Sequence, residues 1–285
     1  MKKLIILLSI FTAMHISMIA QTVYLPEDSL ICSSKFQVSV NKGLAVLPLN
    51  DVIAEVGKTF LGVDYVAHSL ETPGDEQLVL NLRGVDCTTF LENALVLSRC
   101  IKMNRISWED YKAELTKVRY RDGIIDHYPS RLHYFSDWIF NNSGKGIVKD
   151  VTKEIGGTPV RFNVNIMSRN PDKYKQLDGN GEYLKKILSQ EKEISARDYY
   201  YIPKSQIKDI ESKIGNGYLI AITTNIEGAD IAHVGIAVKM KDGRIHFMHA
   251  PLAGAKVQIT EKPIDEYLAK NSKQTGIVVL KPLEP

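Results

Sequence analysis

The stretch Arg83–Ile101, RGVDCTTFLENALVLSRCI, decides how the rest of the chain is read. Gly84 and Asp86 precede Cys87, and from the cysteine Phe90, Leu91, Ala94, Leu97 and Ile101 recur at helical spacing. The pattern predicts a buried helix that opens at Cys87, with Asp86 as its N-cap. The sulfur then lies in the first turn, where free backbone N–H groups and the helix dipole favour a thiolate. Two readings of Cys87 stand on this stretch alone. It is a prepared nucleophile, or it is one more small apolar core residue, as most unpaired cysteines are.

A cysteine nucleophile needs a base, and the base needs a group to hold its ring. The candidates are His233 in DIAHVGIAV and His249 in IHFMHAP. On a strand, His233, Gly235 and Ala237 share one face while Val234, Ile236 and Val238 fill the other. The turn contains Lys241, Asp242 and Gly243. A two-residue turn would set residue 249 opposite 236, on the wrong face from His233. A three-residue loop of 241–243, with Gly243 left-handed, sets 249 opposite 235 and makes His249 a diagonal neighbour of His233. We expect the three-residue loop. The alternative is that these are unrelated strand histidines, with His246 making a third.

Outward from these elements, the last third reads as consecutive strands at 218–224, 231–240, 244–250, 256–260 and 276–281. Helices are expected at 51–59, 107–118 with Ser107 as cap, and 203–214 with proline in its first turn. A strand is expected at 77–82, irregular chain at 21–50, and a loop at 60–71 that carries Tyr65 towards Cys87. Segment 120–168 interleaves aromatics, histidines and arginines in RDGIIDHYPSRLHYFSDWIFNN. It reads equally as a wall of a sugar- or peptide-binding groove or as a packed helix over 131–140. Helices followed by a meander-like antiparallel sheet give an α+β fold class. One domain over 21–285 is the simplest organisation, with 120–168 as a substrate-binding insertion.

The formal charge of +3, spread along the chain, gives no polybasic footprint, so nucleic acid is not an expected partner. MKKLIILLSIFTAMHISMIA at 1–20 reads as a secretory signal, which makes the remainder an exported protein without stable membrane insertion. Of Cys32, Cys87 and Cys100, an odd count in that compartment leaves at least one thiol free. Spacing does not show whether Cys32 and Cys100 pair.

GVDCTTF at a helix start, DIAHVGIAV on a strand and FMHAP on the next together resemble the NlpC-type cell-wall cysteine peptidases, a compact papain-like family. YVAHSLE, LRGVDCTTFLE, YPSRLHYFSDWI and IMS are similar to the N-acetylmuramoyl-L-alanine amidase-like branch across nearly all of the mature chain. The resemblance implies a papain-like core with a nucleophile helix on the sheet or half-barrel, and catalytic Cys87, His233 and His249. It also implies Tyr65 and Asp86 beside the oxyanion site, and Ser130, Arg131, His133 and Tyr134 along the substrate groove. Asp64 stands where the family has proline and Tyr218 where it has aspartate, which bears on loop geometry. The implied function is a monomeric, periplasmic peptidoglycan amidase that cuts muropeptides between muramic acid and L-alanine, with no metal and no cofactor. The alternatives are a γ-D-glutamyl-diaminopimelate endopeptidase, a zinc amidase using His233, His249 and Cys87, against which no carboxylate or His falls at a zinc-binding helical spacing, and a non-catalytic muropeptide-binding protein.

Overall fold

The computed structural model describes residues 22–285; the signal expected at 1–20 lies outside them. Its centre is an antiparallel sheet of eight strands. Gln258–Ile259, Ile245–His249, Ile231–Lys239 and Leu219–Thr224 lie side by side in reverse chain order, as a meander would. The last strand, Gln274–Pro282, does not extend that meander. It returns to pair with Leu219–Thr224, and Tyr199–Pro203, Thr158–Val160 and Val148–Asp150 continue the sheet beyond it.

Both faces of this sheet are covered, which is why its strands read as apolar runs. Val234, Ile236, Val238, Met248, Leu219 and Ala221 pack under the helices Leu49–Lys58 and Cys87–Lys102. Ile220, Ile222, Ala237, Ile245 and Phe247 face the opposite way, against Ile207, Ile210, Ile264 and Leu268. A third cluster, with Tyr128, Tyr134, Phe162, Met167, Ile187 and Ile194, joins the 120–168 segment to the helix Gly181–Ala196.

The helix Cys87–Lys102 is buried on every side from Thr89 to Ile101, not along one stripe. Its charged residues are therefore paired internally: Glu92 meets Arg119 Nε at 2.8 Å and Trp138 Nε1 at 3.2 Å, and Arg99 meets Glu114 at 2.5 Å. The helix Trp108–Arg119 starts as expected, with Ser107 Oγ accepting from Asp110 N at 3.0 Å.

Three expectations are corrected. Segment 21–50 is not irregular: Pro26–Asn41 is a helix of 16 residues. Its buried face carries Asp28, Lys35 and Ser39 beside Cys32 and Phe36, so the burial period is not a hydrophobic period. Segment 203–214 is not one helix but a strand end followed by three short helical turns. The strand expected over 77–82 is ordered only at Leu78–Val79, where it pairs in parallel with Thr22–Val23. Cys32 and Cys100 are both buried free thiols, pushed up to about 12 first by burial. Among the described residues no helix is long and apolar enough to cross a membrane.

Candidate active site

Asp86 holds the start of the cysteine helix. Its Oδ1 accepts from Thr89 N at 2.8 Å and from Thr89 Oγ1 at 2.9 Å, while Asp86 N donates back to Thr89 Oγ1 at 2.9 Å. This reciprocal cap fixes Cys87 as the first helical residue. The cysteine is half-buried, with Thr88 Oγ1 4.0 Å from its sulfur and the backbone N–H groups of Val234 and Thr88 turned towards it. The resting thiol is not acidic. Burial, and next the Asp86 carboxylate, push it up to about 11 against the help of those N–H donors.

The hairpin that supplies the histidines has the expected register. Met248 pairs with Ile236 and Phe247 with Ala237, so 249 falls opposite 235, and Gly243 closes the loop at φ +79°. Gly235 is required there: a Cβ on it would lie 2.5 Å from Met248 O and 2.7 Å from the Phe247 ring. The result is a direct contact between the two imidazoles, His233 Nε2 to His249 Nδ1, at 2.6 Å. His233 is half-buried and borders the Val234 N–H that faces the sulfur, whereas His249 is fully enclosed. Burial lowers His233 to about 4; burial and then the neighbouring His233 lower His249 to about 3. Both rings are neutral at neutral pH.

Tyr65 completes the group from a third direction. It pairs with Val85 in the short parallel ladder Asp64–Tyr65 with Gly84–Val85, which lies immediately before the cysteine helix. Burial and then the nearby Cys87 and Asp86 raise its hydroxyl above the usual tyrosine range. Tyr65 N donates to Ala255 O at 2.7 Å and Asp64 bonds Lys256, so the chain shortly after His249 is stitched to the strand that pairs with Gly84–Val85 before Cys87.

A half-buried thiol at a helix start, next to a strand bearing one of two bonded imidazoles, suits acyl transfer, and known proteins point the same way. The AmiA-like family, described as N-acetylmuramoyl-L-alanine amidase-like, matches residues 55–277. The chain belongs to this family. Crystal structures of an N-acetylmuramoyl-L-alanine amidase from Bacteroides uniformis ATCC 8492 are 39% identical to it, and one superposes with a TM-score of 0.79 over 82% of this chain and 99% of that one. A Bacteroides fragilis protein described as a candidate xylanase is 37% identical, with a TM-score of 0.75 over 79% of this chain and 98% of its own. A protein from Legionella pneumophila str. Philadelphia 1, 21% identical with a TM-score of 0.68 over 90% of this chain and 95% of its own, shares the fold. No curated protein matches in sequence.

In this AmiA-like chain the groove residues read from sequence lie apart in character from the cysteine and histidines. Ser130 is buried, with its Oγ accepting from Asp126 N at 2.9 Å and donating to His127 O at 2.8 Å. Arg131, 4% exposed, donates to Leu70 O at 2.9 Å and Glu71 Oε1 at 2.6 Å and lies 3.6 Å from Glu76. His133 Nε2 meets Tyr128 O at 2.9 Å, and Tyr134 donates to Glu191 at 2.6 Å. Apart from Arg131 Nε, which is buried without a hydrogen-bond partner among the described residues, the polar atoms named here bond to the protein itself, in the segment that clamps the loop between Tyr65 and Leu78. The backbone N–H of Val234 beside the sulfur is a contribution that sequence reading passed over, because a main-chain donor carries no residue signature.

Proposed function

We propose that this AmiA-like chain is an exported, periplasmic peptidoglycan hydrolase, a cysteine amidase with a papain-like core. Its substrate would be the amide between N-acetylmuramic acid, in its ordinary or 1,6-anhydro form, and L-alanine in muropeptides. The observation that carries this reading is the 2.6 Å His233–His249 contact, made from the strand whose Val234 N–H faces a cysteine capped by Asp86 at a helix start. His233 would take the Cys87 proton on Nδ1 as sulfur attacks the carbonyl carbon, and return it to the departing amine. Water would then attack the thioester carbonyl and give its proton to His233, which passes it to the departing sulfur, releasing the acid and restoring neutral His233 and the Cys87 thiol.

The neutral resting states fit such a sequence. Neither a thiol held at about 11 nor an imidazole held at about 4 charges alone, but one proton transfer charges both together, and their attraction in a poorly solvated site offsets the desolvation. The Cys87 N–H, which has no partner within the helix, and the Tyr65 hydroxyl would receive the oxyanion. Ser130, Arg131, His133 and Tyr134 would serve the substrate through the wall they build. A glycosidase would need two carboxylates facing across the scissile bond. Asp86, the carboxylate beside the sulfur, is spent on its cap.

The test is digestion of purified muropeptides with mass analysis of the products. Release of the whole stem peptide from the sugar is expected, with Cys87→Ser inactive. Cleavage after D-glutamate in a sugar-free stem peptide would give the endopeptidase instead. Binding without turnover would give the muropeptide-binding protein.

A further inference from the structure

His249 has a second ring nitrogen that the relay does not use. Its Nε2 is buried and has no hydrogen-bond partner among the described residues. The ring is enclosed by Phe247, at 4.7 Å between centroids, and by Tyr267, which stands edge-to-face at 5.3 Å and 73°. Tyr267 comes from the helix Ile264–Ala269, whose Ile264 and Leu268 pack on the sheet face turned away from the cysteine helix. It is partly exposed and borders an open cleft of about 260 Å³ with Gln258, Thr260 and Lys270, so it stands between His249 and solvent.

The place of one proton makes this neighbour matter. If neutral His249 carries its proton on Nδ1, it donates to His233 Nε2, and His233 must then keep its own proton on Nδ1, the nitrogen that has to accept from the thiol. If His249 carries it on Nε2, its Nδ1 accepts from His233 Nε2–H and the His233 Nδ1 lone pair is free. Only the second arrangement lets His233 act as a base, and it leaves a buried N–H with no oxygen or nitrogen to receive it. An unpartnered buried donor is costly, and an aromatic face is a weak acceptor for such a group.

We propose that Tyr267 is a positioning residue for the reaction: its ring face receives the Nε2–H of His249 and so selects the tautomer that leaves His233 ready to take the Cys87 proton. The role rests on the amidase reading above and belongs to the ring, not to the hydroxyl. Tyr267→Phe should therefore keep kcat within about twofold. Tyr267→Leu should lower kcat by about tenfold with KM unchanged, the size expected when a buried donor loses a weak partner.

Steady-state kinetics on one muropeptide, for each variant with and without His249→Ala, test this. Tyr267→Leu should add nothing in the His249→Ala background, since the proton it positions is gone. Nitrogen NMR of the histidine rings in resting wild type should show His249 protonated on Nε2. A Tyr267→Leu enzyme as active as wild type, an equal loss in both backgrounds, or a proton on His249 Nδ1 overturns the proposal. If Tyr267→Leu does not fold, the tautomer decides alone. Because NMR reads the tautomer without turnover, an active Cys87→Ser enzyme would sink the amidase reading and leave this result separately legible.

Discussion

The corner built from Tyr65, Cys87, His233 and His249 and the wall built from Tyr128, Arg131, His133 and Tyr134 draw on the same residue types and use them oppositely. In the wall the guanidinium of Arg131 is taken up by Leu70 O and Glu71, and the Tyr134 hydroxyl both donates to Glu191 and accepts from Met167 N. In the corner, among the described residues, Cys87 has Thr88 Oγ1 at 4.0 Å and two backbone N–H groups as neighbours, and His249 keeps a buried nitrogen without a partner. The wall spends its charged and phenolic groups on several bonds each and leaves only Arg131 Nε and Glu191 Oε2 unpartnered among its described atoms, whereas the corner leaves its thiol and a ring nitrogen lightly bonded, the state a proton-moving site needs.

Four experiments break or sharpen that contrast. Cys87→Ser should lower kcat by about a thousandfold or more while the melting temperature stays near wild type, since one buried heteroatom replaces another. If it melts far below wild type, the corner is structural like the wall. Arg131→Ala should do the reverse. It removes the cation beside Glu76, whose side chain is 4% exposed and keeps the Tyr120 hydroxyl at 2.9 Å, and costs about 3–5 kcal/mol of stability, read by urea denaturation. A fully stable variant with a raised KM would instead put Arg131 on the substrate. Tyr134→Phe should cost about 1–2 kcal/mol, because buried Glu191 loses one donor and keeps Ser168 N at 3.0 Å. No measurable change in the urea midpoint would show that this bond adds nothing.

The smallest effect is on pH dependence, where wall and corner should agree. His133 is held at about 3, by burial and then Arg131; His233 is at about 4 and His249 at about 3. In the unfolded chain each binds its proton near pH 6.5. The unfolded state therefore takes up protons first. The contribution of these three rings to stability is full above about pH 6.5 and is lost as pH falls towards 3 to 4. Melting temperatures from pH 7.5 to 4 should decline, and His133→Asn and His249→Asn should each flatten the decline by a similar step. A flat wild-type profile would contradict the buried neutral state of all three.

Much of the corner was legible because short-range rules produce it. Asp86 and Thr89 form a local cap, and the three-residue loop with left-handed Gly243 fixes the register that brings His249 to His233. The wall was legible only as a composition. Whether Arg131 and Tyr134 turn out to a ligand or in to the protein depends on Glu71, Glu76 and Glu191, tens of residues away in the chain. The strand Tyr199–Pro203 went unread for a related reason: its first three tyrosines are all half-buried, so no alternation marks a face.

By itself, then, the sequence determined the start of the cysteine helix, the histidine hairpin with its register, and the five strands of the last third. Each follows from backbone periods and turn geometry that act within a dozen residues. Only the tertiary structure decided that Gln274–Pro282 returns beside Leu219–Thr224 and that Arg131 is spent on the loop after Tyr65. It also decided that Cys87 is held as a neutral thiol and that Tyr267 closes over His249. Desolvation and pairing depend on which distant groups share a small volume, and spacing along the chain does not encode that.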